Sequence, residues 1–317
     1  MTRYDDDFQR AQSTGGLFDL SGWECLQISG RDADDYLNRM STVSFRPFIA
    51  DKIHYCAFLT GRAHAISLGY LQGGERGFEY WVPSGNGQVV HDHLEKFHFA
   101  ERLELSLNRE AALLGVWNSP DRFLSQWGAS EITEPLKPVR FSIEGHGVEA
   151  WRDDVRPSLI FLRVTSGELD FFKSHFATFN LPVLDPQLFE YYRIQARVPQ
   201  IGVEVGDADI ILEANIDRAV ARNKGCYPGQ EVVERIFTYG KVNRKLLCVR
   251  VDKYVPTLPV LFAHGENTVG KIVSVARVPG TFGAHPAWIG LAYVQIKYWD
   301  LSDDCLTPEG ARVSILR

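Results

Sequence analysis

Cysteine is scarce in this chain and poorly arranged for pairing. The 317 residues carry five, Cys25, Cys56, Cys226, Cys248 and Cys305, an odd number with no Cys-x-x-Cys among them. That pattern excludes a disulfide framework and a cysteine-rich zinc or iron–sulfur site built from this chain alone, so no metal is expected to be bound by the chain itself. Long apolar runs are also missing, none approaching the roughly 20 residues that span a bilayer. Residues Met1 to Arg10 are polar and acidic. They show neither the apolar core of a secretory signal nor the arginine-rich, acid-poor character of a transit peptide. The expectation is a soluble protein of a reducing cytoplasmic compartment with no membrane partner. Familiar catalytic signatures are absent too: there is no Gly-x-Ser-x-Gly, P-loop or His-Glu-x-x-His. His91 and His93 are two apart on a predicted helix and diverge, with His98 at its end, which argues against a metal site there. Gly85-Asn86-Gly87 precedes that helix, but Val90 stands where a dinucleotide fingerprint needs its third glycine.

What is present is the composition of a soluble globular protein, 45% hydrophobic and 23% charged, in a chain long enough for two or three domains. The net charge of −6 is unevenly spread. Between residues 218 and 250, eight basic side chains (Arg218, Arg222, Lys224, Arg235, Lys241, Arg244, Lys245, Arg250) face Glu231 and Glu234, a local +6 that leaves −12 elsewhere. Such asymmetry reads as an anion-seeking surface, or in part as a solvated strand face.

The hydrophobic pattern orders the chain. A strand over Trp23–Ile28 is followed by a helix capped by Asp32, with Tyr36, Leu37 and Met40 on its apolar stripe. Strands Tyr55–Leu59, Ala65–Leu71 and Phe78–Val82, a helix with Val89, Val90, His93, Leu94 and Phe97 on one side, and a strand Leu103–Leu107 complete β-α-β-β-β-α-β. A second unit repeats the rhythm. Strand Ala112–Trp117 leads to a short helix from Ser119-Pro120 carrying Phe123, Leu124 and Trp127. Strands Arg140–Ile143, Val148–Trp151 and Leu159–Val164 then precede a helix with Leu169, Phe172 and Phe176. Asp185-Pro186 starts a further helix through about Ala196, on which Arg193 and Gln195 are read as facing a cleft. After Gly240 the texture changes to short strands and turns, the mark of a small antiparallel barrel. The fold class expected is α+β: a first α+β module (1–110), a second that carries the loop discussed next (111–240), and a C-terminal β-barrel (241–317).

The most chemically pointed stretch is Lys224-Gly225-Cys226-Tyr227-Pro228-Gly229-Gln230-Glu231, with Arg235 four residues on. Two glycines and a proline bend the backbone around one cysteine, so helix is not expected to run through it. Lys224 and Arg235 supply the positive charge that favours a thiolate. A tight turn around a buried structural cysteine is the plain use of such a run; its density of special residues points to a functional loop. Cys226 is then a thiolate, a metal ligand or a sulfur-handling nucleophile, and Gly225 and Gly229 let backbone N–H groups approach a ligand. Tyr227 can stack on a planar ring, and Gln230 or Glu231 can hydrogen-bond its edge. Arg235 suits the carboxylates of an acidic tail. A planar heterocycle with a polyanionic tail describes a folate, and equally a nucleotide of RNA.

Lys-Gly-Cys-Tyr-x-Gly-Gln-Glu followed by Arg resembles the signature of the YgfZ-like folate-binding proteins, in the superfamily of the glycine-cleavage T-protein (aminomethyltransferase). Tyr192–Pro199, Leu20–Leu37, Phe58-Leu59-Thr60-Gly61-Arg62 and Val269–Ser274 resemble other segments of that family, with Arg197 where glycine is usual. The resemblance implies two α+β modules in a ring-like, folate-binding body plus a barrel, with tetrahydrofolate as cofactor. It implies partnership with iron–sulfur proteins or their assembly machinery, including tRNA-modifying enzymes, and Cys226 as the functional thiol; the basic run leaves tRNA open as a further partner. On the same ground Lys224, Gly225, Tyr227, Gly229, Gln230, Glu231, Arg235, Arg193 and Gln195 are candidate cofactor-binding residues. The T-protein's acidic residues after the hairpin turn are replaced here by Gly61-Arg62-Ala63-His64-Ala65-Ile66, and Gln195 stands where it carries glutamate. Without those carboxylates, acid–base help to aminomethyl transfer is missing, and no glycine-cleaving activity is expected. Two rival readings stay open: a folate-dependent one-carbon transferase or demethylase, and a non-catalytic module that docks tRNA or protein.

Overall fold

The computed structural model describes residues 2–44, 52–74, 77–118, 125–127, 132–240, 242–280 and 287–316. The chain divides into two compact units that are interleaved in sequence. The first holds Met1–Phe58, Ile66–Pro186 and Ala219–Tyr227, and the second Leu59–Ala65, Gln187–Arg218 and Pro228–Arg317. The octapeptide is therefore shared, with Tyr227 ending one unit and Pro228 reopening the other.

The first unit opens with helix α1 (Arg3–Ser13), where sequence alone suggested only a polar lead. Thr2 caps it by accepting from the Asp5 backbone N–H, Asp5 and Asp6 occupy the first turn, and Tyr4 and Ala11 are buried. Ten strands follow: β1 (Gly16–Asp19), β2 (Glu24–Ser29), β3 (Ile53–Leu59), β4 (Ala65–Gly74), β5 (Gly77–Val82), β6 (Glu104–Asn108), β7 (Ala111–Trp117), β8 (Val139–Ile143), β9 (His146–Arg152) and β10 (Leu159–Thr165). They form two five-stranded sheets, ordered β3-β4-β5-β2-β6 and β1-β7-β10-β9-β8. In the first sheet, helices α2 (Ala33–Met40) and α3 (Gly87–Glu95) fall where the periodicity puts them, giving the expected β-α-β-β-β-α-β order. Tyr36, Leu37, Val90 and Leu94 from these helices pack on Leu26, Ile28, Phe58 and Tyr80. The second sheet buries Leu114, Val116, Ile160 and Leu162 against Phe172 and Phe176 of α4 (Leu169–Thr178). Of the predicted short helix, Ser119, Pro120, Phe123 and Leu124 lie outside the described residues, while Trp127 packs edge-on against Phe176 at 4.9 Å.

Aromatic rings join the two sheets. Tyr70 lies 5.1 Å from Phe161 and 5.2 Å from Tyr55, and Trp151 stacks on Phe161 at 5.2 Å. Arg156, buried beside them, is held by Asp153 at 2.6 Å.

In the second unit, α5 (Pro186–Gln195) and α6 (Gln230–Tyr239) accompany a closed barrel ordered β11-β14-β13-β12-β15-β16. Its strands are β11 (Arg244–Val251), β12 (Val260–His264), β13 (Asn267–Arg277), β14 (Trp288–Gln295), β15 (Cys305–Leu306) and β16 (Arg312–Ile315). Val249, Phe262, Ile272, Ala292, Val294 and Val313 fill it. The α+β class and the C-terminal barrel read from the sequence are those observed. The two-residue β15, too short to leave a periodic signal, supplies the closing link between β12 and β16.

Candidate functional site

The loop before the cysteine is stitched to the segment after α2. Thr42 Oγ1 donates to the Ala219 carbonyl at 2.5 Å and accepts from the Ala57 N–H at 2.9 Å, and the Ala221 N–H donates to the Thr42 carbonyl at 2.8 Å. Lys224 then turns inward. Its Nζ donates to the carbonyls of Asn38, Ser41 and Val43, at 2.8, 2.5 and 2.8 Å, and lies 5.0 Å from the Tyr227 ring centre. These carbonyls lie at and just beyond the end of α2, where the macrodipole favours a cation. Burial opposes the charge and lowers the lysine's pKa to about 8. Lys224 is thus a clip that fixes the loop, with its charge spent on α2. Tyr227 is buried. Neither presents the ligand-facing surface that the sequence suggested.

Clipped in this way, the loop exposes its thiol. Cys226 is the exposed cysteine; Cys25, Cys56, Cys248 and Cys305 are buried. Burial raises the pKa of all four, to about 11 for Cys248. Cys226 and Gly225 line a cleft of about 510 Å³ with Asp32, Asp35, Asn38, Arg39, Ala100 and Glu101. Its charges are paired: Asp32 with Arg31 and Arg102 at 3.4 Å each, and Glu101 with Arg39 through a hydrogen bond of 2.7 Å. That hydrogen bond and the backbone N–H groups around Glu101 hold its carboxyl down at about 2. The thiol is thus framed by paired charges and not by the lysines and arginines of its own run, which corrects the electropositive setting inferred from their local excess.

Part of that excess is neutralised from outside its own window. Arg244 is held by Asp209 at 2.7 Å and Glu213 at 2.9 Å, and Lys245 lies over Trp299 at 5.5 Å. Lys241 lies outside the described residues.

In the second unit, Gly229 (φ 82°) starts α6, so the helix follows the bend directly. A Cβ at Gly229 would stand 2.7 Å from the Thr60 carbonyl oxygen and 2.8 Å from the Ala63 backbone. Only glycine lets the hairpin turn, with Ala63 itself at φ 63°, lie against the helix start. Two segments far apart in sequence, both carrying the resemblance, therefore meet there. Gln230 is half-buried, and Glu231 and Arg235 are exposed one turn apart on α6.

Arg193, read as a cleft residue, is a structural ion instead. It is 1% exposed. Its guanidinium bridges Glu190 at 2.6 Å and the buried Glu204 at 2.9 Å, and donates to the Val198 carbonyl at 2.9 Å. Gln195 does line a cavity. With Tyr191, Arg197, Cys248, Arg250, Val278, Ala287, Ile289 and Leu316 it bounds about 410 Å³, walled mainly by apolar groups. Arg197 and Arg250, not counted among the candidates, join it as cations; the departure from glycine at 197 was the signal that could have found the first. Among the described residues, no three His, Cys, Asp or Glu side chains converge to hold a metal ion. No helix among them is long and apolar enough to cross a membrane.

No family model matches the chain. It is 24% identical over 281 residues to the mitochondrial iron–sulfur cluster assembly factor IBA57 homologue of Neurospora crassa, covering 83% of this chain and 59% of that protein. It is 22% identical over 312 residues to the aminomethyltransferase of Bacillus cytotoxicus, covering 92% of this chain and 82% of that one. The chain spans about three-fifths of the length of the first curated relatives it matches. In fold it is similar to the crystal structure of glycine cleavage system aminomethyltransferase T from Bartonella henselae, with a TM-score of 0.82 over 99% of this chain and 88% of that one at 16% identity. The resemblance first drawn from the octapeptide holds: the chain has the aminomethyltransferase fold, and its relatives are iron–sulfur assembly factors and aminomethyltransferases.

Proposed function

We propose that the chain is an accessory protein for the assembly or maintenance of iron–sulfur enzymes, tRNA-modifying ones among its clients, with Cys226 as the working thiol in a cytoplasmic setting. The observation that carries this reading is the contrast among the cysteines: one is exposed at a cleft on a clipped loop, and four are buried. A thiol held by a fixed backbone and open to solvent can meet a sulfur or iron centre on another protein. The absence of a carboxylate in Gly61–Ile66 weighs against the rival transferase reading. The engagement of Lys224, Arg244 and Lys245 within the chain weighs against a tRNA-docking module built on that basic run.

Tetrahydrofolate belongs to the proposal through the second unit's cavity. Apolar walls suit a flat ring system, the Gln195 amide its polar edge, and Arg197 and Arg250 the carboxylates of its tail. When bound, the cofactor would carry one-carbon groups; no part of the thiol's role runs through it. Lys224, Tyr227 and Arg193, turned inward, are not among the residues that would hold it.

The test is complementation. In cells lacking the native protein, Cys226→Ala is expected to lose at least about tenfold in the activity of a cluster-dependent enzyme at unchanged protein level. Full rescue removes the thiol from the function. Calorimetry with tetrahydrofolate is expected to give a low-micromolar Kd that Arg250→Ala weakens about tenfold, and no heat of binding would remove the cofactor.

A further inference from the structure

The two sheets of the first unit share a polar circuit that neither the thiol nor the Gln195 cavity uses. On the β4–β5 ladder Gln72 stands opposite Glu79, and on the β9–β10 ladder Arg163 stands opposite Glu149. Two sets of bonds cross between the sheets. Arg163 donates from Nε and Nη2 to the two oxygens of Glu79, at 2.8 and 2.6 Å, and Gln72 Nε2 donates to Glu149 at 2.5 Å. Arg140 of β8 adds its Nε to the Glu149 carboxylate at 2.5 Å. With Gln27, Gly74 and Gly77 these residues line a cavity of about 390 Å³.

The charges of this cavity cancel. Its carboxylates, Glu79 and Glu149, are each paired with a guanidinium, so the site calls for neither a cation nor an anion. What it lacks is a hydrogen-bond donor. Gln72 is 5% exposed, and its Oε1 is buried with no partner. Native interiors rarely leave a buried acceptor in that state, because its lost hydration is not repaid. Arg163 in turn keeps the two N–H groups of Nη1 outside its fork with Glu79. The cavity is more than ten times the roughly 30 Å³ that one water occupies, and it lies at the small end of ligand sites.

We propose that this cavity binds an uncharged cis-amide, a lactam or ureide ring whose N–H donates to Gln72 Oε1 and whose adjacent carbonyl accepts from Arg163 Nη1. The occupant is chosen by the groups left over, one acceptor and one donor lining the same space. A charged ligand would have to break one of the two ion pairs. A cis-amide adds a bond to each remaining group and leaves both pairs intact. That edge occurs in a free pyrimidinone base and also in its nucleotide. A nucleotide brings a phosphate for which no unpaired guanidinium remains among the lining residues, so the free base is the better fit. The site stands apart from the Cys226 reading and does not depend on it.

The experiment is calorimetry of the full chain with three probes: uracil, uridine 5′-monophosphate, and 1,3-dimethyluracil, which keeps the ring and loses both N–H groups. Uracil is expected to bind with a Kd on the order of 100 μM, and the other two at least about tenfold more weakly. Gln72→Met, and Arg163→Lys with its charge kept beside Glu79, are each expected to weaken uracil at least about tenfold. Leu261→Ser, removing a side chain 54% exposed on the barrel, is expected to leave uracil binding unchanged. In parallel, 4-thiouracil is photolysed with the wild-type chain, and the crosslink is expected in peptides of β4, β5, β9 or β10. That crosslink and the comparison of probes on the wild-type chain decide the matter even where a variant fails to fold. No heat with millimolar uracil means that the cavity holds ordered water only, and overturns the site. Equal binding of 1,3-dimethyluracil, tighter binding of the nucleotide, or a crosslink at the Gln195 cavity overturns it as well.

Discussion

The two cavities that carry the argument are chemical opposites. In the first unit the cleft is open and polar, framed by carboxylates, and its cysteine is exposed. In the second, the Gln195 cavity is walled by Val278, Ala287, Ile289 and Leu316, its charges are arginines, and its cysteine, Cys248, is buried. One arrangement suits contact with another macromolecule; the other suits enclosure of a small anionic ligand with an apolar body. The same residue type is therefore a candidate for chemistry in one place and a packing group in the other. What distinguishes the two is access and the solvation of the thiolate, not sequence context.

The largest way to break the comparison is at Arg193, near the helix end that carries Gln195. Arg193→Ala leaves Glu204 buried without its guanidinium and is expected to cost about 3–5 kcal/mol, read as a fall in denaturant midpoint at constant m. A wild-type midpoint with selective loss of folate binding would return Arg193 to the cofactor. Next comes thiol selectivity. Iodoacetamide at neutral pH is expected to alkylate Cys226 on the order of 100-fold faster than Cys248 in peptide mapping, since burial raises the Cys248 pKa to about 11. Comparable rates would erase the distinction between the cavities. Gly229→Ala forces a Cβ against the Thr60–Ala63 backbone at positive φ, and a loss of about 2 kcal/mol in unfolding free energy is expected.

The smallest effect is a pH one. Burial, with a contribution from Lys52, lowers His54 to about 4 from an ordinary 6.5. Between those values the unfolded chain binds the extra proton, so stability falls as pH drops from about 6.5 towards 4. The loss is on the order of 1 kcal/mol once screening of a partly exposed ring is allowed for. His54→Gln should flatten that part of the stability curve, and an unchanged slope would place the titration elsewhere.

Much of the fold could be read from local pattern. The β-α-β-β-β-α-β order, the helix after Asp185-Pro186 and the barrel all follow from periodicity and turn residues acting within a few positions. The cap at Thr2 and the acidic first turn of α1 were also present, but of its four buried residues only Tyr4 and Ala11 are apolar, too narrow a stripe to announce a helix. The site was legible as a location and not as an electrostatic environment. Lys224 and Cys226 are two apart in sequence, yet one is captured by carbonyls about 180 positions earlier and the other is released to solvent. Counting charges along 218–250 could not reveal that Asp209 and Glu213 neutralise Arg244, or that Asp32, Asp35 and Glu101 would frame the thiol. Those pairings are set by tertiary contacts, which a linear window does not contain.

The interleaving of the two units bears on how the protein is made. The first unit lacks its last segment, Ala219–Tyr227, until the chain has been synthesised well beyond residue 200, while the second borrows a hairpin tip from the first sixty-five residues. Neither can be completed on the ribosome from a contiguous stretch, so the early sheets must wait, partly formed, for a late loop to arrive. The clip at Lys224 is among the last pieces to come off the ribosome for the first unit. The loop therefore acquires its clipped form only after both sheets have been made, and before the barrel that follows it.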